Sequence, residues 1–279
     1  MFKPIALAID FKKFTHSILE TGLFLSKNLY PKNDVVLFHA VEYFLTPPHY
    51  LVSYFKEEEA QLESKLTELS QIFKKENIPV KNKVIWGNFW EVLKNFTKKL
   101  DPSLIVLGYQ PHKFKIPTAE KMLERLECNF LAVKDQPLKR IGKILCCIDF
   151  SEKSFNCLKM AIFWSERLKS ELKVLNVIPK IKVKDKKLKE EILKSENSER
   201  KRMWENLVSL LEESEKTINF DFEIVYGDKL KEILERIEIY SSNLLIVGKT
   251  GKNIKSGLGS ITKELLRKIQ IPLLIVENF

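Results

Sequence analysis

The chain has 279 residues, 44% hydrophobic and 30% charged, with nine Gly, eleven Pro and four Cys. That length predicts about two domains, and the composition excludes a disordered, collagen-like or disulfide-stapled protein. The net charge of +10 rests on 40 Lys against 7 Arg, beside 29 Glu and 8 Asp; this Lys/Glu balance is of the kind enriched in hyperthermophiles, and it is poor in the bidentate donors that specific nucleic-acid readers use.

In chain order, MFKPIALAID reads as a first β-strand; Asp10 interrupts it and no cleavage site follows, so no signal peptide is expected in it. GLFLSKNL from Gly22 has the apolar spacing of a helix, and VVLFHAVEYF from Val35 reads as a second strand. A long helix is expected over about 51–76, then VIWGNFWEVL from Val84, a buried strand ending at Gly108, and CNFLAVKD from Cys128. KDQPLKR at 134–140 breaks the pattern with Pro137. The boundary is set there, giving domains 1–138 and 139–279.

The second half repeats the first. ILCCIDFSE from Ile144, AIFWSERL from Ala161, LKVLNVIPKI from Leu172, IVYGDKLKEIL from Ile224, SSNLLIVG ending at Gly248 and IPLLIVEN from Ile271 follow in the same order. Asp149 lies 139 residues after Asp10, and Gly227 and Gly248 lie 140 after Gly87 and Gly108. Such a period is too long for a solenoid and marks a duplicated domain. A second long helix is expected over about 185–216, with Met203, Leu207, Leu210 and Leu211 on its apolar side. Strands such as LIVLG and LLIVG are continuously apolar, the mark of burial on both faces. The fold class is therefore α/β: two similar domains, each a doubly wound, mostly parallel five-stranded sheet with helices on both faces. No run has the length of a membrane span, and a cytoplasmic protein is expected. Cys146 and Cys147 sit in an apolar run, Cys128 and Cys157 in helical-looking stretches, and the absence of a CxxC pair argues for buried thiols over a zinc site. His16, His39, His49 and His112 show no ligand spacing.

Four of the nine glycines, Gly248, Gly251, Gly257 and Gly259, fall within GKTGKNIKSGLGSITKELLRK. The stretch starts at a strand end and runs into a helix. Ligands of open parallel sheets bind at such carboxyl ends, and the Ser260 hydroxyl with the free N–H groups of the helix start makes an anion site. A surface turn with Ser260 as a plain helix cap is the alternative. GKT at 248–250 ends like a Walker A loop, but Asn243 stands where that motif needs Gly.

These residues resemble the universal stress protein family, as a tandem of two such domains. In its nucleotide-binding branch the loop is Gly-x-x-Gly, nine residues, then Gly-Ser or Gly-Thr. Here Gly248-x-x-Gly251 and Gly259-Ser260 fit, with a seven-residue KNIKSGL between them. The resemblance implies a bound adenine nucleotide: ATP, with ADP or AMP as alternatives, and Mg²⁺ or Mn²⁺ on the phosphates. It assigns Ile148, Asp149 and Val177 to the nucleoside, Val247 and Gly248 to the floor beneath ribose and phosphates, and Gly251, Gly259, Ser260, Ile261 and Thr262 to the phosphate chain. Lys249 and Lys252 are candidates to neutralise phosphate charge. Helix capping remains the alternative for Asp149, and core packing for Val177. The first domain departs: after Gly108 come Tyr109, Gln110, Pro111 and Pro117, with no second Gly and fewer N–H donors. One nucleotide per chain is expected. The family likeness also implies an intrachain pseudo-dimer through the last strands, CNFLAVKD and IPLLIVEN, and leaves a homodimer of the whole chain open. The expected function is a nucleotide-binding stress or regulatory protein, at most a slow ATPase, with no specific nucleic-acid partner. The rival is a dimerisation or interaction module that binds no nucleotide.

Overall fold

The computed structural model describes residues 3–42, 52–112, 116–216, 218–251 and 257–277. The chain divides into two compact units, Met1–Lys139 and Arg140–Phe279. In the first, β1 (Ile5–Ala8), α1 (Thr15–Asn28), β2 (Val35–Glu42), α2 (Val52–Lys74) and β3 (Val80–Gly87) are followed by α3 (Phe89–Leu100), β4 (Leu104–Gly108), α4 (Thr118–Arg125) and β5 (Phe130–Val133). Its sheet runs β3-β2-β1-β4-β5, and every pairing is parallel.

The second unit has β6 (Lys143–Cys147), α5 (Glu152–Leu168), β7 (Glu171–Pro179), α6 (Lys186–Ser209) and α7 (Glu213–Lys216). β8 (Phe220–Gly227), α8 (Lys229–Tyr240), β9 (Leu244–Gly248), α9 (Ser260–Lys268) and β10 (Leu273–Val276) complete it. Its order is β8-β7-β6-β9-β10, again parallel throughout. Each unit is thus the doubly wound α/β fold. The registers repeat: Ile5 stands opposite Val35 and Leu104, as Ile144 does opposite Leu172 and Leu244.

Burial explains the apolar runs. β5 and β10 are buried at every residue, and Ile5, Leu7, Leu145 and Cys146 are completely enclosed. The repeat extends to helix ends. Asn88 and Asp228 cap α3 and α8 by accepting from the N–H groups of Glu91 and Lys231. Both helices stop at a left-handed residue, Asp101 with φ 45° and Ser241 with φ 50°.

Two expectations are corrected. The helix expected over 185–216 breaks after Ser209 into α6 and the short α7. No residue of α6 is fully buried; Leu210 is 68% exposed while Leu211 turns into the core. What anchors α6 is Trp204, stacked on Phe222 at 4.2 Å between ring centroids and edge-on to Phe220. Cys128 lies in the loop after α4, not in a helix. Among the described residues, no helix is long and apolar enough to cross a membrane.

The first unit buries a polar cluster. The Tyr109 hydroxyl donates to Glu120 Oε2 at 3.1 Å, and Lys134 Nζ lies 4.5 Å over the Tyr109 ring. Burial pulls Lys134 from 10.5 down to about 8, against a smaller opposing pull from Asp135. Below about pH 8 both states carry the proton and the cost of enclosing the charge is fully felt. Between about 8 and 10.5 the unfolded chain holds more protons than the folded one, so stability rises with pH. Denaturant titrations across that window are expected to show a gain of up to about 3 kcal/mol in the parent that is missing in Lys134→Met.

Candidate functional site: a glycine-lined cavity in the second unit

The site begins where β6 ends. Ile148 donates its N–H to the Leu175 carbonyl at 3.0 Å, and its own carbonyl accepts from Asn176 Nδ2 at 2.8 Å. The chain then turns sharply through Phe150, at φ 58°. Asp149 holds this turn: its Oδ1 accepts from the Ser151 N–H at 3.0 Å, the Ser151 hydroxyl at 2.6 Å and the Ser154 hydroxyl at 2.5 Å. The Asp149 N–H donates to Ser154 Oγ at 2.8 Å. The first unit keeps the device, with Phe11 at φ 56° and Asp10 Oδ1 accepting from the Lys12 N–H. Asp149 thus fixes the entry to α5, whose cap is Ser151.

The opposite wall begins where β9 ends. Lys249 donates its N–H to the Val276 carbonyl at 2.9 Å and accepts from the Gly259 N–H at 2.8 Å, so the loop returns onto its own root. Thr262 Oγ1 donates to the Gly248 carbonyl at 2.9 Å. Gly259 is the N-cap of α9, and no side chain caps that helix. Ser260 is therefore its first helical residue, exposed at the rim, and not the cap. The amide groups of this first turn are the unsatisfied donors from which anion sites are built. Two glycines have separate reasons. Gly257 sits at φ 91°, a left-handed backbone, whereas Gly259 has φ −58° and needs no such freedom. Gly251 permits close approach, because a Cβ there would lie 2.9 Å from Asp149 Oδ2.

Between these walls lies a cavity of about 440 Å³, within the range of small-molecule sites. The ten residues singled out in the sequence all line it. Ile148, Asp149, Val177 and Val247 come from strand ends. Gly248 ends β9, and Gly251, Gly259, Ser260, Ile261 and Thr262 come from the loop and α9. The cavity also brings in Ser154, Asn176, Arg200, Lys229 and Thr250, which sequence reasoning missed. The Thr250 hydroxyl is buried and makes no hydrogen bond. Cys147 lines the floor, its thiol pushed up to about 12 by burial.

Lys249 does not serve the cavity as expected. It is buried, and its Nζ lies 3.7 Å from Glu277, which also pairs with Lys153. Lys252, most of the KNIKSGL segment and His49 lie outside the described residues.

At the corresponding strand end of the first unit the described residues pack closely. A Cβ on Gly108 would lie 2.2 Å from Phe14 Cβ, so Phe14 packs directly on the strand end. Tyr109 is 2% exposed and Glu120 is enclosed. Pro117 precedes α4 where Gly259 precedes α9. Gln110, Pro111 and His112 are exposed.

Each unit is thus a parallel α/β domain of the kind that carries ligands at its strand ends, and in the second unit the described residues enclose a crevice there. The universal stress protein family matches residues 1–134 and 140–277, and the chain belongs to that family. A universal stress protein from Archaeoglobus fulgidus is 17% identical with a TM-score of 0.72, over 99% of this chain and 98% of that one. A universal stress protein from Pseudomonas aeruginosa is 14% identical with a TM-score of 0.71, over 99% and 94%. These likenesses show the fold. A further solved universal stress protein, in complex with cAMP, is 14% identical over 49% of this chain and 97% of that one, with a TM-score of 0.36. A comparison with curated protein sequences gave no match.

The turn at Asp149 is open to test. Ser154 is 4% exposed and bonds both the Asp149 carboxylate and its amide. Ser154→Ala is expected to cost about 1–3 kcal/mol, read from urea denaturation; an unmoved midpoint would mean that the turn does not depend on this hydroxyl.

Proposed function

We propose that the second unit binds an adenine nucleotide, ATP ahead of ADP or AMP, and that the protein acts as a nucleotide-binding stress or regulatory protein. The reading rests on one observation: the glycine loop, the open start of α9 and the Asp149 turn converge on a single cavity. In this reading Ile148, Asp149 and Val177 meet the nucleoside. Val247 and Gly248 underlie the ribose and phosphates, and Gly251, Gly259, Ser260, Ile261 and Thr262 follow the phosphate chain. The unpartnered Thr250 hydroxyl fits a polar ligand, since a buried hydroxyl gains most from a new acceptor or donor. Domain 139–279 is then the nucleotide domain and domain 1–138 its counterpart with a degenerate ligand loop.

Among the described residues no cluster of three His, Cys, Asp or Glu side chains is placed to hold a metal ion. Mg²⁺ or Mn²⁺ in this reading arrives on the phosphates, where it would shield their charge, with Asp149 as the carboxylate lining the cavity. Asp149 Oδ1 is occupied by three donors in the turn, which favours binding over positioning a water for hydrolysis. Two family domains in one chain support an intrachain pseudo-dimer, and a cytoplasmic location belongs to the same proposal.

Purified protein is expected to release adenine nucleotide on denaturation, identified by absorbance and mass. Its absence, with no ATP uptake, would favour the interaction module. Calorimetric titration with ATP and Mg²⁺ is expected to give one site per chain. Loss of two charge-assisted hydrogen bonds in the first unit would weaken binding there by roughly a hundredfold to ten-thousandfold. Two equivalent sites would refute the assignment.

Gly259→Val is expected to abolish that site with circular dichroism unchanged. A Cβ there already lies 3.3 Å from the Lys249 carbonyl, and branching adds bulk where the loop and α9 meet. Binding like the parent's would remove the loop from the site.

A further inference from the structure

Resting on the nucleotide reading, we propose that Arg200 is the residue that selects the base, and that Asn176 positions it. Four observations carry this. Arg200 lines the cavity from α6, the helix that follows β7 in the chain. Its Nη1 donates to Asn176 Oδ1 at 3.2 Å, and the same amide donates through Nδ2 to the Ile148 carbonyl at 2.8 Å. The guanidinium is therefore tied to the stretch Ile148–Val177 assigned to the nucleoside, not to the phosphate loop. Its Nη2 donates to Glu196 Oε2 at 2.8 Å, one turn away, which fixes the plane from the other side.

The fourth observation is the unspent donor. Arg200 Nε is buried and makes no hydrogen bond. A buried donor left alone is costly, so a bound state in which the guanidinium turns to engage it is favoured over the empty one. A planar guanidinium can donate to a base edge or stack on its face, and a purine offers more of both than a pyrimidine. A lysine at this place would supply the charge but neither the plane nor the Nε–H. The chain has 40 Lys and 7 Arg, so an Arg at a cavity wall is not the residue its surface composition would supply by default. Asn176 has a counterpart in the first unit, His39, whose Nδ1 lies 2.7 Å from the Ile9 carbonyl; there the ring packs on Phe11.

The test uses the full chain, with the parent, Arg200→Lys and Arg200→Gln each titrated with Mg-ATP and Mg-UTP. The two ligands share ribose and triphosphate and differ in the base. The parent is expected to favour ATP over UTP. Both variants should lose about ten- to a hundredfold in ATP affinity, the worth of a hydrogen bond to a charged group, with UTP affinity nearly unchanged. The Lys variant, which keeps the charge, should not rescue. α6 contributes no fully buried residue, so the variants are expected to fold, as thermal melting will report. Equal weakening of both nucleotides would make Arg200 a phosphate contact and overturn the proposal. So would unaltered ATP binding, or a parent with no preference between the bases. A parent that binds neither nucleotide would instead overturn the nucleotide reading itself.

Discussion

The constraint on which the second unit depends is the central placement of β6. It is hydrogen-bonded in parallel to β7 on one side and to β9 on the other, and its middle is fully enclosed. The crossovers from β6 to β7 and from β8 onward to β9 therefore wind in opposite directions. Where they part, the strand ends are left without a connection over them. Ile148, Asp149 and Gly248 stand at that parting because β6 and β9 are adjacent, though 99 residues separate Asp149 from Gly248. The Asp149 turn and the returning loop are two answers to one problem: each must leave a buried strand and satisfy its backbone groups at once.

The first unit meets the same constraint with β1 between β2 and β4, and solves the strand ends differently. Phe14 covers Gly108, while its counterpart Lys153 has its Cβ 4.0 Å from where a Cβ on Gly248 would lie and sends its ammonium to Glu277. Tyr109 and Glu120 then take up each other's polarity, as an enclosed carboxylate must. The sheet is the same in both units, and what fills its mouth differs.

Much of this was legible in the sequence, for local reasons. Asp149, Gly248, Gly251 and Gly259 mark strand ends and a helix start because small residues and short capping side chains cluster where a buried strand gives way to a turn. The two-domain parallel fold followed from continuous apolar runs and their repetition. Arg200, Asn176 and Thr250 were not legible, because their relation to the site is made by packing. Asn176 reads as one polar residue inside a strand, and nothing near Arg200 in the chain points to β7. Lys249 misled for the converse reason: beside the loop its charge suggests phosphate, but its partner Glu277 follows β10. Leu210 misled because helical spacing continues past the residue where the helix stops, and the turn sends Leu211 inward in its place.

The site divides into a part held by the core and a part that is not. Val177 and Val247 are 7% and 4% exposed on strands paired along their length. Substitution there disturbs packing before it disturbs a ligand. Ser260 is exposed at the start of α9, Lys229 begins α8, and Arg200 belongs to a helix with no fully buried residue. Changes at these positions leave the sheet intact. The enclosed strands therefore fix the floor of the cavity, and the side chains at its rim can vary without disturbing that floor. That division lets the two units share one sheet while differing at the strand ends, with Phe14 against Gly108 in the first and the returning glycine loop beside Gly248 in the second.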